Sequence, residues 1–375
     1  MDFEWSEGQK ALRKAMAPLV GKDARGALEE LERADPGRVR ELVLDWQARL
    51  AAAGYLEPPV GPDGFDVRKA FAVLAAQEEV ARASGSLFLC LEATARLFAG
   101  LVLGHGSEAL ARELEGPLRA GELIGGCALT RTEDAVEATA GDSGWVLHGA
   151  CPLVVNAPIA DWLVVSATSE GKRLLCVVRA EADGVAVGPR SALLGLDGLV
   201  ASPVTLDGAR VPADHAIGPL DDLGSLAGLR SLEDQVLAVA SVGLMHRAFA
   251  AAKDHARTRS VGGKPVFKRQ EFAFKLSEML TMTQTAQLMT WRAAWLLAEG
   301  DREGPIVMRC AKIFAAESAQ EVAGLGLQVA GGEGYLRGGA LERAWRESRF
   351  APVAGTPSDQ GRAAIADELF EKHRL

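Results

Sequence analysis

Apolar and polar residues follow one another along this chain in two different rhythms. Between residues 41 and 54, Leu42, Val43, Trp46, Leu50 and Ala53 recur at three- and four-residue spacing, which lays one apolar stripe along a helix. Gly54 supplies a stop, and Pro58 and Pro59 prevent the helix from resuming. The same period predicts helices over residues 68–82, 86–103 and roughly 108–120, the second ending near Gly104 and Gly106. From about Leu123 the rhythm shortens. Runs such as CALT, GWVLHG, DWLVVSA, RLLCVV, VAV and SPVTLDGARV are rich in Val and Leu and bounded by Gly, Asp, Ser and Pro, as expected of short strands in a compact antiparallel domain. Beyond Leu223 the helical period returns over 232–257, 266–298, 305–329 and 358–372, with Pro305 suited to a first helical turn.

Helices, then strands, then helices predict an α+β protein with segregated layers rather than a βαβ sheet. The expected division is an N-terminal helical domain over 1–122, a middle β domain over 123–224 and a C-terminal helical domain, a four-helix bundle, over 225–375. The Gly-Gly-Glu-Gly run at 331–334 follows a predicted helix, whereas a dinucleotide fingerprint follows a strand and opens a helix, so a Rossmann reading is rejected.

A chain of 375 residues has ample material for a core, and 48% of it is apolar. The longest apolar runs are broken by a charge or a Gly before a bilayer-spanning length, and the acidic start MDFEWSEGQK lacks the features of a secretory signal. The expectation is a soluble, cytoplasmic protein. Five scattered cysteines with no C-x-x-C pair read as buried thiols, and no metal site is expected. A formal net charge of −9, without a basic patch, argues against a nucleic-acid binder.

Three collinear segments carry a resemblance. VTLDGARVPADHAIG (204–218), VGLMHRAFAAAKDHARTR followed by GKPVFKRQ (242–270), and AKIFAAESAQEVAGLGLQVAGGEGY (311–335) resemble landmarks of the acyl-CoA dehydrogenase family in order and spacing. The resemblance implies FAD as cofactor, an acyl thioester (acyl-CoA or carrier-protein-bound) as substrate, and a homo- or hetero-oligomer, dimer or tetramer. It implies that Arg259, Gln270, Gln328, Gly331 and Gly332 reach the pyrophosphate and adenine side of a neighbouring subunit's FAD. A guanidinium forks onto phosphate oxygens and glycines admit a close backbone approach. Read by position alone, Arg259 is equally a helix-end cation.

The chain also departs from the family. Where a Thr-Glu-Pro-Gly-Ala-Gly-Ser-Asp loop usually covers the flavin, it reads Thr130, Arg131, Thr132, Glu133, Asp134, Ala135, Val136, Glu137, keeping only Thr130 as a cofactor contact. The usual Trp-Ile-Thr-Asn reads Leu153, Val154, Val155, Asn156, without the ring-stacking indole and the hydroxyl. The Tyr-Glu-Gly-Thr motif reads Val353, Ala354, Gly355, Thr356, so Thr356 is kept and Ala354 stands where many members carry the catalytic Glu.

Some relatives place the base on the first long helix of the last domain, and Glu233 in LEDQVLA matches that position, with Asp234 in place of the usual Arg. Repulsion from Asp234 is expected to raise the Glu233 pKa. By position alone Glu233 is also a favourable first-turn acid. Glu92, between Leu91 and Ala93 on an apolar helix, is a weaker alternative base, or a charge on a solvated face. Three functions stay open here: an FAD-dependent dehydrogenase using Glu233, a non-catalytic partner subunit that completes a neighbour's flavin site, and a thioester-binding protein without redox activity. An electron-transferring flavoprotein and oxygen are both open as reoxidants.

Overall fold

The computed structural model describes residues 5–21, 24–127, 135–220 and 224–371. The chain opens with α1 (Glu7–Leu19), α2 (Arg25–Leu31) and α3 (Pro36–Ala52). Ser6 and Gln9 form a capping box at α1, with Ser6 Oγ accepting from Gln9 N–H and Gln9 Oε1 accepting from Ser6 N–H. Asp35 caps α3 ahead of Pro36, whose missing N–H costs nothing in a first turn. The α3 stripe buries Leu42, Val43, Trp46 and Leu50, and Gly54 ends it at a φ of 83°.

A small hairpin, β1 (Val60–Gly61) and β2 (Gly64–Phe65), leads to α4 (Lys69–Ala83) and α5 (Gly85–Glu92). The helix expected over 86–103 is not continuous. After α5 the backbone makes a π-helical turn, Ala93–Phe98, before α6 (Ala99–His105). Gly85–His105 is long and apolar enough to cross a membrane, yet it is mostly buried as a core helix. The next helix, α7 (Glu108–Ala120), is capped by Ser107 and closed by Gly121 in the left-handed region.

The strands are β3 (Gly125–Cys127), β4 (Ala135–Gly141), β5 (Gly144–Val155), β6 (Trp162–Ser169), β7 (Lys172–Arg179), β8 (Val185–Val187), β9 (Ala201–Pro212) and β10 (Ala216–Leu220). They form one eight-stranded sheet in the order β10-β7-β6-β3-β5-β9-β8, with β4 also lying between β5 and β6. The expectation of a purely antiparallel domain is corrected here: β3 and β4 both pair parallel to β6 and antiparallel to β5. Among the described residues no α-helix joins these parallel partners, unlike a Rossmann sheet.

Helices then return as α8 (Ala227–Thr258), α9 (Gln270–Ala298), α10 (Gly304–Ala330), α11 (Ala340–Glu347) and α12 (Ser358–Glu371). A short hairpin, β11 (Ser260–Val261) and β12 (Lys264–Pro265), separates α8 from α9. The period does not predict α1, α2 or the eight-residue α11, each of which buries at most two apolar residues.

The chain divides into two compact units. The first takes in the described residues up to Ala76, with Ser86–Leu193 and Asp197–Glu233; the second takes in Gln77–Gly85, Leu194–Leu196 and the chain from Asp234 on. In the first, strand alternation feeds two cores. Trp162 and Val164 of β6 join Phe98, Leu101, Val102, Leu114 and Leu232, while Leu163 and Val165 join Leu147, Cys151, Val204 and Leu206. The second unit packs α8, α9 and α10 through small residues, among them Ala238, Ala248, Ala286, Ala315 and Ala319, which let helix axes approach closely.

Candidate active site

In the first unit, the opening turns of α8 bury Leu229 and Leu232 in the helix-facing core, and half-buried Glu233 follows. Its neighbour is Cys127, the last residue of β3. Burial first, and the nearby Glu233 charge second, push the Cys127 thiol well above its ordinary pKa. Cys127 Sγ donates to the Ala93 carbonyl at 3.6 Å. The end of β3, the first residue of the π-helical turn and Glu233 thus form one neighbourhood. The chain leaves β3 directly into the segment with Thr130, which lies outside the described residues together with Arg131, Thr132, Glu133 and Asp134.

Successive helical residues point about 100° apart, so Asp234 leaves the helix in another direction. In the second unit it is buried, with Oδ2 4.0 Å from Nε of Arg309 on α10. The sequence suggested an uncompensated charge beside Glu233. Here the Asp234 carboxylate has a guanidinium as an ion-pair partner.

Glu92 is neither on a solvated face nor short of partners. It is fully buried, accepts a 2.5 Å hydrogen bond from the Tyr55 hydroxyl, and lies 3.7 Å from Nε of the equally buried Arg96. Arg96 donates to the carbonyls of Tyr55 and Glu57, and its guanidinium carbon sits 5.1 Å from the centre of the Tyr55 ring. Burial, then the Glu92 charge, drives the Tyr55 hydroxyl pKa well up. A carboxylate held in this way fits a packed polar network better than a proton acceptor facing a ligand.

On β5, Leu153 and Val155 are half-buried on one side of the strand while Val154 is buried on the other. Asn156 follows at a φ of 66°, a conformation that asparagine tolerates better than most residues. Its Nδ2 donates to the carbonyls of Cys90 at 2.9 Å and Gly125 at 3.2 Å, tying α5 to β3. Its buried Oδ1 has no hydrogen-bond partner among the described residues. Sequence reasoning treated Asn156 only as part of a degraded motif. The signal it offered was an Asn, a residue suited to positive φ, directly after a strand.

The second unit holds the other candidates. Arg259, one residue past α8, is half exposed, with Nη1 3.0 Å from Glu333 Oε1, and His255 Nδ1 lies 3.7 Å from Glu333 Oε2. Gln270 is exposed at the first turn of α9, Gln328 is exposed near the end of α10, and Gly331 and Gly332 open the 3-10 turn Gly331–Tyr335. The hairpin links two of these elements, since Val266 N–H donates to the Arg259 carbonyl. A Cβ added at Gly332 would meet nothing within 4 Å, and no positive φ requires glycine there. The packing of this chain therefore gives no reason for that glycine, whereas close approach by a ligand or a second chain does. Thr356 lies in the loop after α11, where its carbonyl and that of Ala354 accept from buried Lys312 Nζ at 2.7 and 3.2 Å. Among the described residues no cluster of His, Cys, Asp and Glu could hold a metal.

The Arg259 guanidinium, the open turn at Gly331 and Gly332 and the first turn of α9 are groups of the kind that can hold a dinucleotide's phosphates, with Glu333 already paired to that guanidinium. In the first unit, taken by itself, β5 offers an apolar strand edge and Asn156 one buried acceptor, Oδ1, without a partner among the described residues.

Comparison with known proteins bears on the family rather than on these individual residues. Residues 232–370 match the family model described as acyl-CoA dehydrogenase, C-terminal domain. The short-chain specific acyl-CoA dehydrogenase of Bos taurus mitochondria is 28% identical over 316 residues, 80% of this chain and 76% of that protein. A subunit of the caffeyl-CoA reductase-Etf complex of Acetobacterium woodii is 27% identical over 98% of this chain and its own full length. The butyryl-CoA dehydrogenase structure from Megasphaera elsdenii superposes with a TM-score of 0.87 at 22% identity, covering 99% of this chain and 100% of that one. Residues 232–370 thus match an acyl-CoA dehydrogenase C-terminal domain, and the chain over most of its length is similar to acyl-CoA dehydrogenases. The stretch matching the family model contains Glu233, Arg259, Gln270, Gln328, Gly331, Gly332 and Thr356, whereas Glu92 and Thr130 lie outside it. Ala354 stands where the sequence resemblance places the carboxylate of many acyl-CoA dehydrogenases.

Proposed function

We propose that this protein is an acyl-CoA dehydrogenase-like flavin oxidoreductase that removes the α-proton and β-hydride of an acyl thioester, with Glu233 as the base. The observation that carries the assignment is the Glu233 carboxylate beside Cys127, where β3 runs into the segment that covers the flavin in relatives, while position 354 has no proton acceptor. FAD, when bound, supplies the sink for the hydride. The protein's own part is to hold the thioester with its α-carbon against Glu233, which takes the proton. The apolar edge of Leu153 and Val155 would exclude water from one side of the site, and the outward-facing Arg259, Gln270, Gln328, Gly331 and Gly332 would hold the phosphates and adenine of a flavin shared with a second chain.

Exposed apolar side chains beside that group support an oligomer. Tyr335 is 94% exposed and Leu336 64%, and Val261 of β11 and Phe267, two residues past β12, are exposed as well, surface that a second copy or a related chain would bury. The similarity to a subunit of an Etf complex supports an electron-transferring flavoprotein as the reoxidant.

Glu233→Gln tests the assignment, because it keeps shape and removes the base. Flavin reduction by acyl thioester should fall by at least about a hundredfold with FAD content unchanged. Equal rates in wild type and variant would show that Glu233 is not the base. A second reading, a non-catalytic partner subunit, is favoured by the missing carboxylate at 354 and the outward-facing dinucleotide group. Counting yellow chromophores per chain separates the two: a chain that holds flavin only after a related chain is added acts as that partner.

A further inference from the structure

The cation meant for a phosphate is already engaged. Arg259 stands just past the C-terminus of α8, and Glu333 stands in the glycine turn just past the C-terminus of α10. Both Glu333 carboxylate oxygens face cationic or ionisable side chains of the α8 end: Oε1 is 3.0 Å from Arg259 Nη1 and Oε2 is 3.7 Å from His255 Nδ1. Arg259 and Glu333 are each 55% exposed, so the pair is open to exchange rather than locked. The turn that holds Glu333 has the two open glycines Gly331 and Gly332, so its carboxylate stands beside the surface through which a dinucleotide backbone would approach.

We propose that Glu333 is an internal competitor for Arg259, so that the phosphates of a flavin dinucleotide must displace this carboxylate and binding is weaker than the cluster's cations alone would allow. This rests on the reading that the Arg259 group faces FAD. An anion approaching Arg259 meets a cation whose charge is already neutralised, together with a carboxylate that repels it. A carboxylate this close to phosphates does not raise affinity unless it accepts a hydrogen bond from the ligand, for example from a ribose hydroxyl. The two roles predict opposite signs for its removal.

The test is FAD titration of the deflavinated full chain, followed by flavin fluorescence quenching, for wild type, Glu333→Gln, Arg259→Gln and the double variant. Because the pair is exposed, all four should fold, which thermal melting checks. Glu333→Gln is expected to tighten FAD binding by roughly threefold to thirtyfold, with the gain shrinking at high salt. In the Arg259→Gln background the same change should have much less effect, since the competed partner is gone. Weaker binding by Glu333→Gln overturns the proposal in favour of a hydroxyl-accepting role, and equal affinities overturn it in favour of a surface ion pair alone. If neither wild type nor Glu333→Gln binds FAD, alone or with a related chain, the flavin reading fails and takes this proposal with it. Saturable binding with no difference defeats only the role of Glu333.

Discussion

Tyr55 and Glu92, 37 residues apart in sequence, are joined by a 2.5 Å hydrogen bond from the phenol to a carboxylate, with both side chains fully buried. A hydrogen bond to a charged acceptor with no access to water is expected to matter more for stability than an exposed one. Tyr55→Phe removes only the donor and should lower unfolding free energy by about 1.5 to 3 kcal/mol, read from urea denaturation. A change below about 0.5 kcal/mol would mean that another group satisfies Glu92 as well as Tyr55 does.

Asn156 combines two local features that can be separated by substitution. Ala removes both side-chain bonds and is strained at a φ of 66°, whereas Gly removes the bonds and tolerates the backbone. Asn156→Ala should cost about 2 to 3 kcal/mol, and Asn156→Gly about 1 kcal/mol less. Equal costs would show that backbone strain contributes nothing at this position.

Lys312 is buried to the point of 1% exposure, and its ammonium bridges the carbonyls of Ala354 and Thr356. Lys312→Met keeps the apolar stem and leaves those carbonyls without this donor, a loss of about 1 to 3 kcal/mol. Hydrogen exchange should speed up in residues 351–357 before the rest of the second unit. Uniform exchange across the unit would refute a local anchoring role.

His246 supplies a pH dependence. Burial, and then the charge of Arg82, hold its pKa down at about 4 against an ordinary 6.5. Above pH 6.5 the ring is neutral in both the folded and unfolded chain. Below that the unfolded chain takes up a proton that the folded chain refuses until about pH 4, so stability falls as pH drops through this window. His246→Gln should flatten the melting temperature between pH 6.5 and 4 relative to wild type, and parallel curves for the two proteins would contradict the shift.

Much of the fold is legible in the sequence because its signals are local. The α3 stripe from Leu42 to Leu50, the helix over 108–120, the short Val-rich strands and the return of the long helical period each depend on residues a few positions apart, and each appears as an element. The three collinear segments carried the family, and with it the expectation of Glu233, Arg259 and the glycine turn. Other relationships needed the tertiary structure, because they join residues whose side-chain types alone do not say what they face. Glu92 reads the same on an apolar helix whether it meets water, a ligand or Tyr55, and only the packing of a distant segment against it decides. The Asp234–Arg309 pair, the Arg259–Glu333 pair and the Lys312 anchor under Ala354 and Thr356 are likewise long-range in sequence. So is the placing of β3 and β4 parallel to β6, which strand alternation cannot encode since both pairing directions have the same period of two.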